Sequence, residues 1–165
     1  MRRFLFRHQP PASIRTALVA GMGAVFGVAA LGLTGDIAGL TMLFAPLGAT
    51  CVLVFGLPAS PLSQPANVIF GHALAGFIGL AAQWLLPGDV WLAAAAVGIA
   101  IAAMSLLRVT HPPAGATALV SYASAHSAVF LAFPILTGAV SLVLFASLYH
   151  RLTGSSYPLK APHGA

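Results

Sequence analysis

The sequence predicts an all-α integral membrane protein with four full spanning helices and two short helices started at proline breaks. Three observations predict it. Of 165 residues, 5% are charged and 59% are apolar, where a soluble domain carries about 25% charged residues; such a chain cannot cover its surface in water. Asp, Glu, Lys and Arg are absent from 16–35, 37–88, 90–107 and 109–150, and a bilayer core needs roughly 20 apolar residues per spanning helix. Within these runs, "APLGATCVL" at 45–53 and "HPPAGATAL" at 111–119 each place proline and glycine where a continuous helix is expected.

The elements follow in order. A first apolar segment runs from about Thr16 to Thr34 and ends at the turn Thr34-Gly35-Asp36. The second, Ile37 to Leu57, is interrupted by Pro46 and Gly48. The stretch 58–68, with Pro58, Pro61 and Pro65, is not expected to be regular helix, because proline removes a donor and clashes with the preceding turn. The third segment runs from Val68 to Leu86 and closes at Pro87-Gly88-Asp89; the fourth spans Val90 to Leu107 and ends at Arg108. A short segment from Pro113 to about Ala125 follows, and the last runs from about Ala128 to Tyr149. All are helical by necessity, since lipid cannot satisfy exposed backbone groups. The chain divides into a cytoplasmic basic segment at 1–15, a transmembrane domain at 16–150 and a cytoplasmic tail at 151–165.

Pro46-Leu47-Gly48-Ala49-Thr50 and Pro113-Ala114-Gly115-Ala116-Thr117 share P-x-G-A-T at an offset of 67 residues. Each lies between longer apolar segments, so the chain reads as two units of long helix, short helix, long helix. If all six segments cross, Arg2, Arg3, Arg7, Arg15, Arg108, Arg151 and Lys160 fall on one side and Asp36 and Asp89 on the other. That satisfies the positive-inside rule with a cytoplasmic N-terminus and gives the units opposite orientations, a 3+3 inverted repeat of the kind common in transporters. If the short segments only dip in and return, there are four crossings and Arg108 lies outside.

Several function classes are excluded. The net charge of +5 lies in flanks rather than in a basic stripe with interleaved aromatics, so nucleic acid is not a partner. Cys51 is the lone cysteine and says nothing of redox compartment. The histidines are scattered, without HxxH, HExxH or paired Cys, so neither a metal nor a cofactor is expected. Asp36 and Asp89 sit at turns, where capping is their commoner role, and no nucleophile has a visible base, so the chain is not expected to be an enzyme.

The proline breaks carry the chemistry. Proline suits the first turn of a helix, so Pro46 and Pro113 each open a short helix whose N–H groups, in residues 47–50 and 114–117, face the break. The helix dipole adds positive character there, and such an end binds a small anion without Lys or Arg. Gly48, Ala49, Gly115 and Ala116 let an anion approach the backbone, and Thr50 and Thr117 offer hydroxyls. The alternative is a tightly packed kink with each threonine bonded back to a carbonyl. His111 offers ligand contact or proton transfer, or else caps a helix near the interface. His72, with Gln64 and Asn67, lines a way into the site, or else the two amides satisfy the loop backbone while His72 sits at headgroup level. His8, His126, His150 and His163 are placed at the interface or in solvent and given no role. Gly23 with Gly27, and Ala75 with Gly79, have the small-residue spacing of close helix packing.

His111-Pro112-Pro113, "APLGATCVLVF" at 45–55, "SPLSQPANV" at 60–68 and "GHALAGFIG" at 71–79 occur in the order in which the HPP family of small integral membrane proteins carries similar motifs, and over roughly 12–152 the chain resembles that family. The resemblance implies four spanning helices and, from plastid and cyanobacterial members implicated in nitrite transport, a transporter or channel for a small inorganic anion. Other members carry cytoplasmic CBS modules after the membrane domain; the residues after 150 are too few for one. Many relatives have Arg in the SPLxQPRN motif where this chain has Ala66, which weakens anion attraction at that loop. The expected setting is a bacterial-type inner membrane, and a homo-oligomer is left open. The competing reading is a non-transporting membrane subunit that binds a partner through its small-residue faces.

Overall fold

The computed structural model describes residues 2–39, 41–123 and 128–160. Every regular element among them is helical: a turn at Arg2–Leu5, then α1 (Ile14–Ala38), α2 (Ala45–Gly56), α3 (Pro65–Leu85), α4 (Val90–Leu106), α5 (Pro112–Ala123) and α6 (Thr137–Thr153). Three apolar helices are long enough to cross a membrane by length and composition: α1, α3 and the run Leu131–Thr153 that ends in α6. At 17 residues, α4 is about 25 Å long against a hydrocarbon core of about 30 Å. His126 and His163 lie outside the described residues.

Four boundaries differ from the sequence reading. Helix α1 runs through Thr34-Gly35-Asp36 to Ala38. Thr34 satisfies itself by donating to the Ala30 carbonyl (2.7 Å), and the stop comes at Gly39, whose φ of +66° suits glycine. Between α1 and α2 there is no single interrupted segment, because Phe44 is extended (φ −134°, ψ 151°). Pro65 opens α3 rather than lying before it, since its missing N–H is unneeded in a first turn. In the last segment Pro134 distorts 131–136, where Phe133 leaves helical φ/ψ, and regular α-helix resumes only at Thr137.

Side-chain pairings fix the direction of each helix. Gly27 and Leu142, and Val19 and Tyr149, pair α1 antiparallel to α6. Leu47 and Gly138, with Val54 and His150, pair α2 parallel to α6. Asn67 and Thr110, His72 and Thr117, and Gly76 and Ser121 pair α3 parallel to α5. The helices therefore alternate in direction along the chain, up and down between two ends, with the 12-residue α2 and α5 the shortest of the six. One end gathers Arg15, Arg108, Arg151, the 57–64 loop and the tail with Lys160; the other holds Asp36 and Asp89, flanked by exposed Trp84 and Trp91. Asp89 caps α4 by accepting from the Leu92 N–H (2.7 Å).

The offset of 67 carries the bounds of α2 onto those of α5 residue for residue, and those of α3 onto 132–152, within the run Leu131–Thr153. The second three helices run opposite to the first three. Close packing rests on small residues. A Cβ on Gly23 would meet the Phe55 ring at 2.6 Å, one on Gly27 the same ring at 2.8 Å, and one on Gly79 would run into the Ala118 carbonyl oxygen. Both small-residue spacings are thus used inside the bundle.

Two outcomes are expected. In a Cys51→Ser background, Asp36→Cys and Ser60→Cys label from opposite faces of oriented vesicles; labelling from one face would mean that α2 returns to the side it left. Gly79→Ala lowers stability in detergent by about 1–3 kcal/mol through overpacking, whereas Gly21→Ala, with open space at its Cβ position, stays within about 0.5 kcal/mol; thermal unfolding reads both.

Candidate functional site

An imidazole inside an apolar bundle must find a partner for each ring nitrogen among protein groups. His72 lies on the second turn of α3, about 10 Å along it, and is 0% exposed. Its Nε2 lies 2.9 Å from Thr50 Oγ1 on α2, and its Nδ1 lies 2.7 Å from Thr117 Oγ1 on α5. The two threonines of the repeated P-x-G-A-T motif thus clamp one ring from either side. Thr50 Oγ1 also lies 3.0 Å from Nε2 of His111, whose Nδ1 lies 2.8 Å from the Leu62 carbonyl oxygen. The two imidazole centroids are 5.0 Å apart, and Thr50, Thr117 and His111 are each 0% exposed.

The carbonyl at one end sets the protons. Leu62 can only accept, so Nδ1–H of His111 donates and, in the neutral ring, Nε2 accepts. Thr50 O–H, which also reaches the Pro46 carbonyl oxygen of its own helix (3.0 Å), then donates to that Nε2, Nε2–H of His72 donates to Thr50 Oγ1, and Thr117 O–H donates to Nδ1 of His72. Gly71 makes the meeting of the rings possible: a Cβ there would lie 2.8 Å from the His111 Cβ and 3.1 Å from the Val109 carbonyl oxygen.

The other sequence-selected residues fall elsewhere. Gly48, Ala49 and Ala116 are exposed on the outer faces of α2 and α5, Gly115 is half-buried, and nothing lies within 4 Å of a Cβ built on Gly48 or Gly115. Pro113 is buried at the second position of α5, matching Pro46 in α2. The first amides do not stand free: Leu47 and Gly48 donate to the Phe44 carbonyl (3.0 and 3.4 Å), and Ala114 to that of His111 (2.9 Å). Gln64 donates to the Pro58 and Ser60 carbonyls (2.9 and 2.8 Å) and accepts from the Leu159 N–H (2.9 Å), while Asn67 donates to the Thr110 carbonyl (2.9 Å). Both amides therefore fasten the loops around the site. His72 is enclosed by the bundle, about two turns into α3.

The model of the HPP transmembrane region matches residues 9–158. The chain belongs to the HPP family. Two transmembrane proteins of Dictyostelium discoideum are similar to it: one is 34% identical over 129 residues, covering 73% of this chain and 45% of the relative, and the other 31% identical over 126 residues, covering 71% and 40%. The chain spans less than half the length of these curated relatives. No solved structure matches. The HPP tripeptide acquires a structural meaning here: its histidine joins the network, its first proline is residue one of α5 and its second proline residue two.

One correction concerns His150, which is packed inside the protein rather than exposed to solvent. It is 2% exposed, and its Nε2 lies 2.9 Å from the Val54 carbonyl oxygen. The tail folds over it, with the Tyr157 ring 5.3 Å away, and burial pushes the Tyr157 phenol up to about 12. Sequence reasoning could not see this, because the covering residues come from another segment. It also missed Gly71, the Leu62 carbonyl and Ser121, one turn beyond Thr117 on the α3–α5 seam.

Thr117→Val leaves Nδ1 of His72 buried without a partner, an expected loss of about 1–3 kcal/mol. Thr117→Ser keeps the hydroxyl and should unfold within about 1 kcal/mol of the parent. Thermal unfolding in detergent separates them, and equal losses would show that the hydroxyl is not what matters.

Proposed function

We propose that this HPP protein moves a small inorganic anion, nitrite first among candidates, across a bacterial-type inner membrane, with its basic end in the cytoplasm. The single observation that carries the reading is the Thr50–His72–Thr117–His111 network. Ionisable side chains inside a bundle are expensive and mark pathways or relays, and this pair is held by the two elements that break the membrane-spanning pattern. Hydroxyls and imidazoles are the groups that can hold an anion where no Lys or Arg is at hand. The opposed directions of the two three-helix units fit the inverted repeats of transporters, whose sites lie where broken helices meet. In this reading α4 is the fourth spanning helix, α2 and α5 are half-spans, and the fully buried network is an occluded state. Substrate identity rests on the family resemblance stated above.

The competing subunit reading requires free small-residue faces, and those of Gly23, Gly27 and Gly79 are filled by Phe55, Tyr149, Leu142, Ala118 and Ser121 of the same chain. Purified protein in liposomes should take up nitrite saturably, with nitrate, formate and chloride tested as competitors. His72→Gln and Thr50→Val should lower the initial rate by about tenfold or more, as expected when a buried polar group is left without its partner, while Gly21→Ala keeps it. Uptake no faster than in empty liposomes for every anion, in protein shown to be folded, would overturn the reading.

A further inference from the structure

The network has one more acceptor contact than its neutral form has protons. Thr50 Oγ1 lies 3.0 Å from the Pro46 carbonyl oxygen as well as 3.0 Å from Nε2 of His111. Both want the single Thr50 proton when the rings are neutral. Adding one proton to Nε2 of His111 resolves the conflict. His111 Nε2–H then donates to Thr50 Oγ1, Thr50 O–H donates to Pro46, His72 Nε2–H donates to Thr50 Oγ1, and Thr117 O–H donates to Nδ1 of His72. Every contact then holds one proton. A second added proton would put two cations on rings 5.0 Å apart in a site with no counter-charge.

No other charged side chain among the described residues is placed against the rings. Among the described residues, α2 brings only Cys51, α4 and the 57–64 loop bring no titratable side chain, and α3 brings none besides His72. On α5, Tyr122 donates to the Leu86 and Asp89 carbonyls at the acidic end (2.8 and 2.7 Å). Arg108, three residues before His111, is exposed, and His150 is engaged with Val54. An anion entering this neutral, apolar surround is stabilised further if a cation forms beside it, and a buried imidazolium if an anion stands beside it. Binding of each therefore favours binding of the other.

We propose that the Thr50–His72–Thr117–His111 network binds one proton together with each anion, so that the protein is a proton–anion symporter carrying no net charge. This rests on the transport reading above. The proton comes from water and adds to the lone pair on Nε2 of His111. It can pass on when His72 holds its proton on Nδ1, donating to Thr117: His111 gives its Nε2 proton to Thr50 Oγ1 as the Thr50 hydroxyl proton moves to Nε2 of His72. His111 returns to neutral, Thr50 is restored and His72 carries the charge, with no bond between heavy atoms made or broken.

Proteoliposomes loaded with a pH-sensitive dye and given an inward sodium nitrite gradient test the proposal. Lumen acidification is expected at about one proton per nitrite entering, above empty liposomes, with a rate unchanged when a potassium ionophore clamps the membrane potential. Thr50→Ser should retain this stoichiometry, and Thr50→Val, monodisperse on size exclusion, should lose about tenfold or more of the coupled flux, because both imidazole Nε2 atoms lose their partner. Nitrite entry that builds a membrane potential without acidification overturns the proton coupling and leaves transport standing. Coupled flux that survives in Thr50→Val at the parent rate overturns the assignment to this network. Absence of nitrite entry from the parent protein overturns the transport reading and this one with it.

Discussion

A neutral imidazole presents one donor and one acceptor on opposite edges of a rigid ring, and in a bundle without water both must be met by other side chains or carbonyls. His72 imposes that constraint on the whole molecule. One partner comes from α2 and the other from α5, so three helices must be brought to a common level with an accuracy of a few tenths of an ångström. Much of the rest of the architecture serves that registration. Gly71 admits the 109–111 segment, Gly79 lets α3 lie against the Ala118 backbone, and Asn67 ties the start of α3 to Thr110. In lipid no hydrophobic force draws the helices together, and close contact among small residues must supply the cohesion.

The proline breaks acquire a second meaning in this light. A hydroxyl can reach a ring edge from a helix beginning partway across the bundle at a position that a full-length helix passing at the same level could not present with the same freedom of approach. Starting α2 and α5 at prolines lets each short helix begin where its threonine, four residues after the second-position proline, comes level with His72. The identical spacing in both halves places Thr50 and Thr117 on the same turn of equivalent helices. Symmetry stops there, because the position equivalent to His111 is Phe44. Each unit supplies one histidine from a non-equivalent position, His72 having Ala139 as its counterpart, which gives the network a direction ending at the Leu62 carbonyl.

Much of this was legible in the sequence, and what was not has physical causes. Composition and charge spacing marked the membrane class, the threonines and both histidines stood out by type and position, and the 67-residue offset foresaw α2 and α5. The helix boundaries were harder to read, because Thr34 and Pro65 are helix-breaking in water but satisfied in place, Thr34 by the Ala30 carbonyl and Pro65 by its first-turn position. The glycines of the motifs drew attention as points of backbone approach, yet Gly48 and Gly115 have no close neighbour, while Gly71, flagged only within a motif, is what lets the two rings meet. A sequence shows which residues can accept neighbours; the path of the chain decides which neighbours arrive.

The sharing of the network between α2 and α5 also bears on how such a site opens. Moving α2 away frees Nε2 of both rings but leaves His72 held by Thr117; moving α5 away frees Nδ1 of His72 but leaves it held by Thr50. Each motion breaks contacts worth about 1–3 kcal/mol for a buried group left unpaired, a population change of roughly tenfold to a hundredfold. Moving both helices at once strips His72 of both partners and roughly doubles the penalty. The geometry therefore favours states in which one short helix is displaced at a time. The two displacements are not equivalent: the first releases Nε2 of both rings, the second Nδ1 of His72 alone.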